Sequence, residues 1–267
     1  MYTNVNLAAP VAVLAFLGTG FILFVAAVIV IHALLVRKLG RAKLISAAML
    51  ILAALYFAAI LAFSFASQEK VLARGEEKHF CEIDCHLAYS IVNIQQAKTL
   101  GSLPNQATAR GLYTIITVKT RFDETTIAPW RGDKPLRPNS RVVTLLDEHG
   151  NSYWPSADGQ RALEVSKGSG TPLTTPLRPG ESYTTELVFD LPPEVKSAKL
   201  LINEGEFITH FIIGHENSLL HKKTEFRLDL PPVQQLSATA ARSTHNGLLW
   251  QPTLPPAATE TKIETIN

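Results

Sequence analysis

The apolar positions of this chain follow two different rhythms. From Ala8 to Val36, and again from Leu44 to Ser67, no charged residue interrupts the sequence. Each run exceeds the roughly 20 residues that carry a helix across a ~30 Å hydrocarbon core. The pattern predicts two transmembrane helices, over about 8–36 and 44–67, so that residues 1–67 form a helical hairpin. A cleaved signal peptide would need a basic n-region and an apolar segment of only about 7–15 residues. Met1 to Pro10 contains no Lys or Arg, and the first run is too long.

Beyond Ser67 the period shortens. Residues 68–79 (QEKVLARGEEKH) are charged and read as a connector. From 80 to 230 short β-rich runs alternate with turn residues: Ala88–Gln95, Leu112–Arg121, Arg141–Asp147, Tyr183–Asp190, Ala198–Ile202, Phe207–Ile213 and Thr224–Leu230. Strands at this spacing, with only Asp158–Glu164 able to hold a helical turn, predict an all-β antiparallel sandwich. The turn chemistry agrees. DEHGN after Leu146 supplies Gly and Asn for a hairpin, Pro179-Gly180 precedes one strand, and the prolines of DLPPEV end it. Residues 231–267, rich in Pro, Ala and Thr, read as a flexible tail, in which GLLWQP around Trp250 is the segment able to dock on a partner.

Charge sets the orientation. Arg37, Lys38, Arg41 and Lys43 fall between the two apolar runs, and basic residues in short loops stay on the cytoplasmic side. Both termini and the β domain are then expected on the extracytoplasmic, periplasmic side of the cytoplasmic membrane, with the lipid bilayer as partner. The net charge is +2. The inter-helix loop alone exceeds it, so the exterior domain lacks the basic patch that nucleic-acid binding requires.

The segments LRPGESYTTELVFDLP, KLLINEG and DEHGNSYWPS resemble a family of secreted immunoglobulin-like domains of unknown function related to mycobacterial immunoprotective antigens. The resemblance covers roughly residues 94–230 and implies an immunoglobulin-like sandwich. It rests on turn and core residues and implies no activity.

The candidate chemistry is concentrated in HFCEIDCH, residues His79 to His86, which holds both cysteines of the chain. In an oxidising compartment two cysteines ordinarily pair. If Cys81 to Cys85 ran as a strand, their Cα atoms would stand about 13 Å apart, beyond the roughly 7 Å that a disulfide spans, so a disulfide needs a turn there. The other reading is a metal site. His79, Cys81, Cys85 and His86 offer two thiolates and two imidazoles, a soft donor set suited to copper or zinc. A sandwich brings late strands beside early ones, so His215 or His221 could complete the set.

The Cys-x3-Cys spacing behind a two-helix anchor also resembles subunit II of cytochrome oxidase and its dinuclear copper centre, which implies a cupredoxin-like sandwich with Cys81 and Cys85 as bridging thiolates. The sequence departs from that pattern: Glu82 is one place off, and Tyr89 and Val92 stand where the family has His and Met.

Two functions are therefore expected. One is a membrane-anchored metalloprotein, holding copper before zinc, in electron transfer or copper handling. The other is an interaction or structural subunit of a respiratory or other membrane complex, with Cys81 and Cys85 oxidised. No G-x-S-x-G, H-E-x-x-H or P-loop occurs to suggest a hydrolase or nucleotide enzyme.

Overall fold

A computed structural model of the chain describes residues 8–80, 86–126 and 132–231. The helices α1 (Ala8–Leu35) and α2 (Leu39–Ala66) come first and pack against each other. The reversal between them is tighter than RKLGRAK suggests. Leu39 to Lys43 are already helical: Leu, Arg, Ala and Lys favour a helix and outweigh Gly40 in its first turn. Arg41 and Lys43 therefore ride on the first turns of α2. Among the described side chains of the two helices, the buried positions are Ala33, Ala42, Ile60 and Ser64. The remainder presents Leu, Ile, Val and Phe outward or half outward.

The described residues then form a sandwich of two sheets. One sheet is antiparallel throughout and runs β2 (Lys78–Phe80), β3 (Leu87–Leu100), β4 (Ala107–Phe122), β7 (Ser182–Leu191). The other runs β1 (Lys70–Leu72), β9 (Thr224–Asp229), β8 (Ser197–Glu204), β5 (Arg141–Asp147), β6 (Ser152–Tyr153). Its pairs are antiparallel except β1 with β9, which are parallel with Lys70 opposite Thr224. Period-2 alternation builds the core. On β8 it buries Ala198, Leu200 and Ile202, on β4 Ile116, Val118 and Phe122, and these meet Tyr89, Phe189 and Phe226 between the sheets. Each of the buried Leu, Ile, Val and Phe side chains contributes about 1.5–3 kcal/mol on burial. The same alternation carries Glu204 to the inner face of β8, where a carboxylate needs a partner.

The predicted hairpin at DEHGN is present between β5 and β6. Asp147 accepts bonds from the backbone of His149 and Asn151 and from the Tyr153 hydroxyl. Burial pushes its carboxyl up, but these bonds and that from the Asn151 side chain outweigh it and hold the pKa at about 2.

The structure differs from the sequence expectation in three places. First, the piece read as a single turn at Asp158–Glu164 is the helix α3 (Ala157–Lys167). Ser156 caps it by accepting from the Gly159 N–H, Asp158 and Lys167 complement its dipole, and Gly168 closes it. It lies on the outer face of the β2–β3–β4–β7 sheet over Tyr113, Ile115 and Val188, covering the far halves of β3 and β4. Gly159 permits this seat, since a Cβ there would stand 2.7 Å from Val188 Cγ1 and 2.8 Å from the Tyr113 ring.

Second, Phe207–Ile213 is not a strand. Phe207–Phe211 is a 3₁₀ turn, in which the Thr209 hydroxyl donates to the Glu206 carbonyl and competes with ladder pairing. Third, β1 lies inside the stretch read as a connector and β2 begins in it. Three-residue strands carry too little alternation to be read from sequence. The tail read at 231–267 falls, apart from Pro231, outside the described residues.

Candidate functional site

The termini of the β domain bring together β2, β3, β5, β8 and residues 205–223, the segment between β8 and β9. On β2, Lys78 faces Tyr89 in register, His79 faces Ala88 and Phe80 faces Leu87. Alternation therefore turns Lys78 and Phe80 to one face and His79 to the other. The Lys78 side chain is buried. Its ammonium donates to the Ile202 carbonyl at 2.7 Å, to Glu216 Oε1 at 2.8 Å and to the Thr224 carbonyl at 3.0 Å. Burial pulls its pKa below the usual lysine value, and the Glu216 carboxylate opposes that shift.

A second buried pair lies alongside. Arg141 Nη1 donates to Glu204 Oε1 at 2.8 Å and Nε to the Tyr89 hydroxyl at 3.1 Å, while the guanidinium stacks 4.2 Å from the Phe80 ring centre. His215 Nε2 lies 3.4 Å from Glu204 Oε2. These groups tie one sheet to the other and clamp residues 205–223 onto both.

Of the sequence-predicted site residues, the four histidines are described. Cys81 and Cys85 lie outside the described residues. His79 points to the outer face, 3.6 Å from the Glu77 carboxylate, which itself takes two 2.8 Å bonds from Arg121. His86 is buried and stacks on Phe122 at 5.1 Å, and its carbonyl accepts the Asp123 N–H at 2.6 Å. His215 Nδ1 accepts from the Asn217 N–H. The His221 ring stands 2.7 Å from the Lys222 carbonyl, and partial burial lowers its pKa. Among the described residues no three His, Cys, Asp or Glu side chains gather as a metal-holding group.

The late segment does reach β2. What it delivers there is Glu216 to Lys78, and Glu204 lies beside His215. Lys78, Arg141, Glu204 and Glu216 are the residues that sequence reasoning passed over. The one available signal was Glu204, a charged residue in phase with the apolar face of KLLINE.

The same segment also meets α2. The Tyr56 hydroxyl donates to the Phe211 carbonyl at 2.8 Å, the Lys222 N–H donates to Ser67 Oγ at 2.8 Å, and Gly214 stands against the Phe63 ring. Between these contacts Phe207 is 73% exposed, with Ile208, Phe211, Leu219 and Leu220 also exposed. Elsewhere, a cleft of about 560 Å³ opens between β5, β7 and residues 170–174, with Trp154 at its rim.

No family model and no curated protein matches the chain. Solved structures that resemble it include the secreted protein MPT63 from Mycobacterium tuberculosis, at 11% identity over 60% of this chain and 98% of that one, with a TM-score of 0.38. The yjhA protein from Bacillus subtilis is similar at 14% identity over 60% of this chain and 99% of its own, with a TM-score of 0.37. A conserved hypothetical protein from Bacillus anthracis is similar at 15% identity over 49% of this chain and 89% of its own, also at 0.37. The sandwich rests on the strand pairing described above and not on these likenesses.

Proposed function

We propose that the chain is a membrane-anchored protein whose two apolar helices cross the cytoplasmic membrane and hold an immunoglobulin-like sandwich on the outer face, as an interaction module for a neighbouring membrane complex. The observation that carries this reading is the exposure of the helices. Phe21, Phe24, Leu44 and Phe65 are each about two-thirds or more exposed, whereas the core helix of a water-soluble domain hides such side chains. A signal sequence would account for α1 alone. α2 is bonded to the β domain at Tyr56 and Ser67, as expected of a permanent part of the fold. Arg37, Lys38, Arg41 and Lys43 at the reversal favour a cytoplasmic loop and an outward sandwich. Alkaline carbonate extraction of membranes expressing the full chain tests the anchor. Retention in the pellet is the expected result, and release into the supernatant would sink the reading.

A second reading keeps a metal. Phe80 and Leu87 are opposite one another, so the chain enters and leaves the Cys81–His86 stretch at the same place, and His86 is held buried beside it. Copper, or zinc in its stead, would then sit on Cys81 and Cys85 with His79, His86, His215 or His221 completing the set, and a Cys81–Cys85 disulfide is the competing state. Metal content by mass spectrometry on detergent-purified protein decides. Stoichiometric copper that disappears in Cys81→Ser supports the metal. A metal-free chain with no free thiol removes it.

A further inference from the structure

Residues 205–223 carry a surface that neither the sandwich nor the helix pair covers. Phe207, Ile208, Phe211, Leu219 and Leu220 project outward on a segment that is neither strand nor α-helix. Leu220 adopts the left-handed conformation at φ +62, a strained state for a bulky side chain. Five exposed large apolar side chains on one short segment, with the Phe207 and Phe211 rings 5.3 Å apart, mark a contact with something other than water.

Its position along α2 identifies the contact. Counting ~30 Å of hydrocarbon at 1.5 Å per residue from Leu44, the first residue after Lys43, brings the outer boundary to about Phe63. The three contacts between segment and helix then fall in order. Lys222 meets Ser67 above that level, Gly214 meets Phe63 at it, and Phe211 meets Tyr56 below it. Tyr56 lies about 16 Å along the helix from Ser67. Non-helical backbone at such a depth requires that its polar groups be satisfied within the protein. The carbonyls here are satisfied within the protein by backbone and side-chain donors together: Glu206, Thr209, Ile212, His215 and Ser218 accept from the N–H three residues on, and four side chains add to these. Phe211 O takes the Tyr56 hydroxyl, Phe207 O the His210 ring at 3.0 Å, Glu206 O the Thr209 hydroxyl at 2.6 Å, and Ile212 O the Ser218 hydroxyl at 2.5 Å.

We propose that residues 207–220 are embedded in the outer leaflet of the bilayer that holds α2, with lipid acyl chains covering Phe207, Ile208, Phe211, Leu219 and Leu220. The inference rests on the anchored reading above. It deepens that reading by giving the domain a second, lateral hold on the membrane, so that the sandwich cannot swing freely about the end of α2. The Lys78–Glu216 and Arg141–Glu204 pairs transmit that hold to both sheets.

Bromolipid quenching of single tryptophans tests it. In a full chain carrying Trp130→Phe, Trp154→Phe and Trp250→Phe, one tryptophan is introduced as Phe211→Trp, Leu220→Trp, Phe24→Trp on α1 or Val165→Trp on α3. Each variant is reconstituted in phosphatidylcholine vesicles with plain or brominated acyl chains. The expected result is loss of fluorescence in brominated vesicles for Phe211→Trp and Leu220→Trp comparable to that of Phe24→Trp, with none for Val165→Trp. Quenching at Phe24→Trp without quenching at positions 211 and 220 overturns the embedded loop and leaves the anchor standing. No quenching at Phe24→Trp overturns both. If positions 211 and 220 are shielded from bromolipid and from aqueous acrylamide alike, a protein surface covers the loop and the lipid assignment is wrong.

Discussion

Lys78 is the residue on which the two sheets and the late segment converge. It sits on an edge strand with its charge turned inward, an arrangement that discourages edge-to-edge pairing while demanding a buried partner. Removing that partner should be far worse than removing the pair. Glu216→Gln strands a buried ammonium and is expected to lower stability by about 3 kcal/mol, whereas Lys78→Met combined with Glu216→Leu should recover most of that loss. Urea unfolding in detergent measures both. The pair assignment fails if the double variant is no better than the single one. The pH dependence follows from the same burial. The folded state holds the Lys78 proton less tightly than the unfolded chain, whose lysine titrates near 10.5. The unfolded chain therefore binds more protons as pH climbs toward that value, and the Lys78 contribution to stability rises with pH in that range.

At the scale of elements, α3 depends on how closely it approaches the sheet. Gly159→Val places methyl groups where the Tyr113 ring and Val188 already stand, and overpacking of this kind costs about 1–3 kcal/mol. The helix should lift before the sandwich opens. Hydrogen exchange is expected to speed up across α3 and the far ends of β3 and β4 while β8 stays protected, and uniform acceleration would show that α3 is not a separable layer.

Legibility in the sequence follows the same division. β5 was readable to the residue because RVVTLLD is rich in β-branched and apolar residues and ends in a turn sequence, and the two long helices because their apolar runs carry no charge, although α2 begins at Leu39, ahead of Arg41 and Lys43. α3 was underestimated because its apolar face is narrow and its stability comes from Ser156, the end charges and Gly168. FITHFII has the Phe, Ile and Thr content of a strand, and only Thr209 with its own backbone bond shows why it coils. The Lys78–Glu216 pairing was invisible because its members are 138 residues apart. HFCEIDCH was legible as a donor set from composition alone, but composition does not say which His side chains share a face, and β2 turns His79 away from Lys78 and the late segment.

For the whole molecule, the proposed orientation rests on the placement of four positive charges. Arg37 and Lys38 lie at the reversal, and Arg41 and Lys43 on the first turns of α2. On the opposite side of the hairpin, acids and bases are mixed, Glu69, Lys70, Arg74, Glu76 and Glu77 following one another, so they exert little net bias. Only Lys and Arg near the helix ends weigh heavily in setting topology, and acidic residues contribute little. With the four charges intact, alkaline phosphatase fused after Leu230 should be active, since it folds only outside the cytoplasm. Replacing Arg37, Lys38, Arg41 and Lys43 together by Asn leaves Lys70 and Arg74 as the nearest basic residues and should send most of the chains in with the sandwich inside, with phosphatase activity lost in proportion. A helix pair oriented by the folding of its domain, and not by charge, would keep full activity in that variant. The two outcomes separate an anchor that the membrane reads during insertion from one positioned afterwards by the grip of residues 205–223 on α2.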